Sequence, residues 1–394
     1  MRILYVIPYL YPAFAYGGTC RVCWEIARRM ARRGHSVLVH TTDAFDAHQR
    51  TESLHEVVEG VTIHRSRNLS NRLAWRRIFL PLTFGAGLEA AIRQADIVHI
   101  HEYRSLLDAI ALPILKRTGT PFVISPQGSL PLIMSRIAIK RVYDVLVGRP
   151  MLKAATGLHA INIMERNQYL AAGASADKIH FAANGIDADD YKHLPTGLLF
   201  RARHAIPEAA PLVLFLARIN KIKGVDFLLS AFAKVARELP DAVLALVGPD
   251  DGFLAEAKRQ MRELGIADKV RYIGYLGGDD KLQAYLSSDL YVLPSTYEIL
   301  GITLLEALAC GAPVITTDQC GLADTIEGQR LGSVVKFGDV EALAAQMRGA
   351  LLNRAASRQD AERRRAYVLN NFTWDAIADT WETIYRKCAR SRRE

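Results

Sequence analysis

Short runs of consecutive apolar residues alternate along the chain with longer stretches of helical periodicity. That alternation predicts a parallel sheet covered by helices on both faces. Residues 2–7 (RILYVI), 36–40 (SVLVH), 61–65, 97–101 (IVHIH) and 121–125 (PFVIS) read as strands. Between the first two, residues 21–33 place Trp24, Ala27, Met30 and Ala31 on one face of a helix that stops at Gly34. The pattern then restarts. Residues 211–219 (PLVLFLARI) form a strand, and 225–239 a helix with Phe227, Leu228, Ala231, Phe232 and Val235 facing inward. Strands at 242–247, 269–273, 290–293 and 313–316 follow, alternating with helices at 253–264, 279–287 and 302–310. Two doubly wound α/β domains are therefore expected, 1–190 and 209–372. A linker at 191–208 carries Pro195, Gly197 and Pro207, and a C-terminal helix at about 373–390 packs back on the first domain.

A length of 394 residues suits two domains that each bury their own core. Five scattered cysteines, at 20, 23, 310, 320 and 388, argue against a disulfide framework and for a reducing compartment, so a cytoplasmic protein is expected. The opening MRILYVIPYL is broken by Pro8 and Pro12 and reads as a strand rather than a signal peptide. No apolar run reaches the roughly 18 residues of a membrane span. The formal charge is +9 and uneven: residues 1–190 hold 23 Lys and Arg against 16 Asp and Glu, the remainder 27 against 25. A basic first half attracts phosphorylated substrates or anionic lipid; nucleic acid is not expected, because the interleaved aromatics of such binders are missing. Residues 64–84 concentrate Arg65, Arg67, Arg72, Arg76 and Arg77 beside Leu73, Trp75, Ile78, Phe79 and Leu80, which makes this segment the expected contact with an anionic membrane surface.

In open parallel sheets ligands bind beyond the carboxyl ends of the strands, and two such domains face each other across a cleft. Three post-strand stretches carry candidate chemistry. In 294–314 (PSTYEILGITLLEALACGAPV), Gly301 permits close approach to a helix start whose Ile302 and Thr303 amides can hold a phosphate. Glu306, one turn in, suits the vicinal hydroxyls of a ribose, and Glu298 the hydroxyls of a second sugar; taken alone, a pair of glutamates at a helix start is usually just solvated. In 216–224 (LARINKIKG), Arg218 and Lys223 can neutralise a diphosphate, the first as a fork and the second as a point charge. Gly17 and Gly18, after the first strand, let backbone approach a phosphate or sugar, or simply make a tight turn.

These stretches resemble the retaining glycosyltransferases of the GT-B fold, specifically glycosyltransferase family four. The resemblance runs through GGTCRVCWEIARRMARRGHSVLV, ADIVHIHE, ISPQGSLP, NGID, LARINKIKG and, above all, YEILGITLLEALACGAPVITTD with its Glu-x7-Glu spacing. It implies a nucleotide-sugar donor on the second domain and an acceptor on the first. Arg218 and Lys223 then bind the diphosphate, Glu306 the ribose and Glu298 the donor sugar, with Gly301, Ile302 and Thr303 at the phosphate. Gly17 and Gly18 approach the donor from across the cleft, and Tyr275 lies by the base. Glu298, Arg218 and Lys223 are the expected catalytic set. Gln127 stands where related enzymes often have His; it can hydrogen-bond but cannot titrate. Gln127 and His101 are the acceptor-side candidates.

No cofactor and no metal are expected, the nucleotide diphosphate sugar being a co-substrate. Asp187-Ala-Asp189 spells a metal-binding Asp-x-Asp but sits at the linker edge; Cys20-x-x-Cys23 lacks a second ligand pair, and His99 with His101 lacks a third ligand. The expected activity is hexosyl transfer to a glycan or lipid-linked acceptor in cell-surface polysaccharide or glycolipid synthesis, with the enzyme cytoplasmic or peripheral on the cytoplasmic membrane face. The alternatives are a non-catalytic sugar-nucleotide-binding subunit, or a nucleotide-sugar epimerase or phosphorylase on the same fold.

Overall fold

The computed structural model describes residues 1–132 and 137–390. It divides into two compact units, Met1–Asn184 with Trp374–Glu394, and Gly185–Thr373. The first unit is built on eight strands: β1 (Arg2–Val6), β2 (Ser36–Thr42), β3 (His55–Val58), β4 (Val61–Ser66), β5 (Ile97–His101), β6 (Phe122–Ser125), β7 (Gly157–Ala160) and β8 (Ile179–Phe181). Their order is β3-β4-β2-β1-β5-β6-β7-β8, parallel throughout except for the β3–β4 edge pair. Strands β1 and β5 are buried along nearly their whole length, as a sheet covered on both faces requires. Sequence periodicity missed β3, β7 and β8, which are three or four residues long and so too short to show a pattern; β7 (GLHA) also opens on glycine.

The C-terminal helix Trp374–Arg390 belongs to this unit. Trp374, Ile377, Trp381, Ile384, Tyr385 and Cys388 join the core formed with β1, β2 and the helix Gly18–Arg32. Its outer edge is tied by Arg33 to Asp379 at 2.6 Å and by Arg29 to Asp375 at 3.1 Å. Below it runs a buried polar chain. The Tyr5 and Tyr385 hydroxyls are 3.1 Å apart, and Tyr385 Oη lies 2.7 Å from His99 Nδ1. His99 Nε2 is 2.6 Å from Ser125 Oγ, which is 2.8 Å from His159 Nδ1. His99 is thus a core residue with both ring nitrogens satisfied.

The second unit has six strands: β9 (Leu212–Leu216), β10 (Val243–Val247), β11 (Val270–Gly274), β12 (Leu290–Leu293), β13 (Val314–Thr317) and β14 (Gly332–Val335). All are parallel, in the order β11-β10-β9-β12-β13-β14. Residues 191–208, expected as a linker, are part of this unit instead. The helix Leu198–Arg203 carries a buried Arg201 whose guanidinium donates to the carbonyls of Ser287 (2.8 Å) and Ala210 (2.8 Å) and meets Asp289 at 3.1 Å. A guanidinium so fully bonded holds the segment against the body, and the unit boundaries fall at 184/185 and 373/374. Among the described residues, no helix is long and apolar enough to cross a membrane.

Removal of the Trp381 ring tests the attachment of the C-terminal helix. Trp381→Ala should cost about 3–5 kcal/mol in denaturant unfolding, as for other large core aromatics. A loss below about 1 kcal/mol would mean the helix contributes nothing to the first unit's core.

Candidate functional site

In the second unit the strand order reverses between β9 and β12, and the connections leaving these two neighbours define the crevice where open α/β sheets take ligands. The connection after β9 turns at Gly224, with φ +70°, against the Pro294 carbonyl that follows β12. A Cβ at Gly224 would stand 2.0 Å from that oxygen, so no other residue fits unless the backbone moves. The same two loops are joined by a hydrogen bond from Thr296 N to Ile222 O at 2.8 Å. They are joined again by an ion pair between the Lys223 ammonium and the Glu298 carboxylate, both mostly buried. Two of the sequence candidates are therefore direct partners. Glu298 is also pinned through its backbone: its N–H donates to Gln319 O (3.0 Å) and its carbonyl accepts from Gly321 N (2.8 Å).

Arg218, largely exposed, turns to Asp251 after β10 at 2.6 Å. Asn220 ties this loop together, donating through its side chain to the Asp251 carboxylate (2.8 Å) and accepting from the Lys223 backbone N–H (3.1 Å). On the β12 side, Gly301 (φ +77°) caps the helix Ile302–Ala309, whose Ile302 and Thr303 amides precede the first intrahelical bonds. The buried Tyr291 hydroxyl lies 2.7 Å from Thr303 Oγ1 and donates to Leu216 O at 3.1 Å, tying this helix start to the end of β9.

One turn on, the buried Glu306 accepts from Lys281 Nζ at 2.7 Å and from the Tyr285 hydroxyl at 2.9 Å. Burial first, then the Glu306 charge, holds the Tyr285 phenol well above its ordinary pKa. Tyr275 is exposed, on the connection after β11. The second unit thus gathers two free amides, three cations (Arg218, Lys223, Lys281) and three carboxylates (Asp251, Glu298, Glu306) at its switch point, a set suited to a diphosphate flanked by hydroxyl-bearing groups. Sequence reading missed Asn220, Lys281, Tyr285 and Tyr291, and expected Asp251 only within a base-side segment, 247–252, not as the partner of Arg218. The i,i+4 spacing of Lys281 and Tyr285 on one face of the helix Gly278–Ser287 was the one local signal.

In the first unit, Gly17 (φ +112°) precedes Gly18 at the start of the helix Gly18–Arg32. Arg77 holds this turn: its guanidinium donates to Tyr16 O and lies over the rings of Tyr9 (4.8 Å) and Tyr16 (5.3 Å). It also approaches the Glu102 carboxylate at 3.6 Å, and Tyr9 donates to the same carboxylate. Glu102 follows β5 with φ +74°, and its pKa is pushed up to about 8 by burial and by nearby Asp108. Neither Arg77 nor Glu102 was foreseen as part of this turn.

Gln127 follows β6 with φ +53°, accepting from Asn184 Nδ2 at 3.0 Å while its own amide nitrogen is buried without a partner. His101 does not reach the surface as an acceptor group would. It is fully buried, its ring 3.9 Å from that of His99, and burial pushes its pKa down to about 3. Its position at the end of β5 suggested exposure, but its ring lies inside the unit, beside those of His99 and Tyr5. Asp187 caps its own turn by accepting from Asp189 N, and Asp189 pairs with Lys192 at 2.6 Å. Cys20 and Cys23 are buried. Among the described residues, no group of three or more His, Cys, Asp or Glu side chains is arranged to hold a metal ion.

The Gly224 turn yields a direct test. Gly224→Ala should lower stability by at least about 2 kcal/mol more than Gly252→Ala, because both residues have positive φ but only the first meets a carbonyl. Equal losses, by urea unfolding, would show that the close approach to Pro294 does not constrain the loop.

Comparison with known proteins agrees with this geometry. Residues 17–185 match a glycosyl transferase 4-like domain, and residues 199–368 the glycosyl transferases group 1 family. A glycogen synthase of Mycobacterium tuberculosis is 26% identical over all of this chain and 96% of its own length. A D-inositol 3-phosphate glycosyltransferase of Kineococcus radiotolerans is 28% identical over 93% of this chain and 90% of its own. Among solved structures, Anabaena HepE in complex with UDP-glucose superposes with a TM-score of 0.75 at 20% identity, covering 98% of this chain and all of that one. Sucrose-phosphate synthase of Thermosynechococcus elongatus gives 0.73 at 19%, covering 98% of this chain and 99% of that one. The chain belongs to the GT-B glycosyltransferases of the family-four type.

Proposed function

We propose that this glycosyltransferase moves a hexosyl group from a nucleotide diphosphate sugar to a glycan or lipid-linked acceptor with retention of anomeric configuration, in cell-surface polysaccharide or glycolipid synthesis at the cytoplasmic membrane face. The observation that carries the donor half is the joining of Lys223 to Glu298 across the β9 and β12 connections, beside the helix start at Gly301. In this reading Arg218, Lys223 and the Ile302 and Thr303 amides take the diphosphate, Glu306 the ribose hydroxyls and Glu298 the donor sugar. Tyr275 offers an exposed ring for the base, and the Gly17–Gly18 turn a backbone surface free of side chains. Gln127 supplies amide donors toward the reacting sugar.

In the transfer step the acceptor hydroxyl oxygen bonds to the anomeric carbon while the bond from that carbon to the β-phosphate oxygen breaks. The departing phosphate oxygen takes the acceptor's proton, so no protein base is needed. The two cations and the two amides stabilise the charge that grows on the leaving diphosphate, which is the site's main catalytic work. Turnover without a metal ion follows from that assignment. The HepE complex with UDP-glucose makes a uridine donor the first to test.

A panel of nucleotide sugars scored by thermal shift should identify one donor that raises the melting temperature, because a ligand of the folded state stabilises it. With that donor, Arg218→Ala and Glu306→Ala should each weaken binding by about 1.5–3 kcal/mol, roughly 10- to 150-fold. Unchanged affinity in both would refute the donor assignment. Glu298→Ala should lower turnover more than it lowers melting temperature; stabilisation by a donor with no transfer to any acceptor would favour a binding-only subunit. Activity should survive excess chelator, and a loss restored by added metal would reject the metal-free mechanism and return attention to Asp187 and Asp189.

A further inference from the structure

The first unit carries an apolar surface that its own folding does not use. Residues 137–154 form one continuous helical run, Ile137–Tyr143, a wide turn at Asp144–Gly148, and Arg149–Ala154. Its inner side is held by specific contacts. The Tyr143 hydroxyl donates to Ser105 O at 2.9 Å, Asp144 pairs with Arg104 at 2.8 Å, and Gly148 lies so close to the Tyr103 hydroxyl that a Cβ would stand 2.2 Å from it. Val147, Met151 and Leu152 pack into the core. The outer side inverts the usual pattern of a surface helix. Ile139, Val142, Val145 and Leu146 are 59–69% exposed, and Ile139, Val142 and Leu146 fall on one face at i, i+3 and i+7. Ile137, at the start of the run, is exposed as well.

The charges beside this patch are of one sign. Arg141, Arg149 and Lys153 are exposed in the same run, and its single acid, Asp144, is consumed by Arg104. A cluster of β-branched and leucine side chains rimmed by cations is complementary to an anionic bilayer: the apolar groups enter the headgroup boundary and the cations are drawn to the negative surface. By contrast, the segment 64–84 that the sequence favoured is partly spent on folding. Arg65 and Phe79 are buried and the half-exposed Arg77 is turned onto Tyr9 and Tyr16, while Arg67, Leu69, Arg72, Trp75, Arg76 and Leu82 are exposed but spread over a loop, a one-turn helix and a second loop rather than on one helical face.

We infer that the outer face of the helical run 137–149 is the surface by which this protein docks on an anionic lipid bilayer. This names the docking surface for the membrane-face reading proposed above and does not depend on the donor or the chemistry, because it is read by binding alone. Purified full-length protein should co-sediment with vesicles of phosphatidylglycerol and phosphatidylcholine, bind pure phosphatidylcholine at least tenfold more weakly, and release as salt is raised. Ile139→Glu with Leu146→Glu should reduce anionic-vesicle binding at least tenfold. Arg141→Glu with Arg149→Glu should do so at low salt, whereas Arg72→Glu with Arg76→Glu should have less effect.

Melting temperatures of all three variants should stay near wild type, since the altered side chains face outward, and donor-induced thermal shifts should be unchanged. No binding to anionic vesicles at low salt overturns the inference. So does a loss of binding confined to the Arg72 and Arg76 variant, or a dimer in solution that Ile139→Glu with Leu146→Glu dissolves, which would assign the face to a second copy of the chain.

Discussion

The second unit's site depends on how closely the backbone after β9 approaches the backbone after β12. Glycine at 224 allows the first loop to pass under the Pro294 carbonyl, and Gly248, whose Cβ would stand 1.9 Å from Ala217 O, allows the same closeness on the β10 side. With both neighbours in place the loop has little freedom, so Lys223 reaches Glu298 and Arg218 is turned toward Asp251 without either cation being fixed by a rigid side-chain stack. A site that stabilises charge on a leaving group gains from such fixed positions, because reorganisation during the reaction is what weakens charge stabilisation in water. Under the mechanism proposed above, close backbone approach holds the two cations near one another against their mutual repulsion, with Glu298 and Asp251 as the compensating anions.

Much of this was legible in sequence. The alternation of strands and helices is a pattern of consecutive apolar positions, and the β9 and β12 connections announced themselves by Gly224, Gly301 and charged residues immediately after strands. What was not legible is what depends on three-dimensional pairing. Lys281 and Glu306 are 25 positions apart on different helices, and nothing local says that they meet. Arg201 lies among Pro195, Gly197 and Pro207, which read as a hinge. Its burial is decided by carbonyls of Ser287 and Ala210, so a tertiary contact overrode the punctuation of the local sequence. The same holds for His101, whose strand-end position was visible but whose burial against Tyr5 and His99 was not.

The first unit stores its titratable groups in neutral form. Burial depresses the pKa values of His99, His101 and His159, so each favours the folded state at pH above the ordinary histidine range and loses that contribution as pH falls. Burial also raises Glu102 to about 8 and Asp108 and Glu165 to about 7, and these contribute below the ordinary carboxylate range and lose it as pH rises. Between roughly pH 4 and 6.5 the two sets oppose each other, one gaining with pH what the other gives up. Their locations differ. The histidines lie under the C-terminal helix, whereas Glu102 lies against Arg77 and Tyr9 beside the Gly17 turn.

Position 127 shows why a site of this kind can use a residue that never titrates. The Asn184 side-chain amide donates to Gln127 Oε1, which fixes the orientation of the Gln127 amide and turns both of its N–H donors away from that contact. The donors end on a buried nitrogen with no protein partner, a costly arrangement for a group that only fills space. An imidazole at the same place can offer a hydrogen-bond donor too, and can add a positive charge when protonated. In this chain the neutral amide retains the donor and gives up the charge. Such an exchange fits the mechanism proposed above, in which leaving-group charge would be met by Arg218, Lys223 and the helix start at Ile302, and position 127 would orient a hydroxyl rather than transfer its proton.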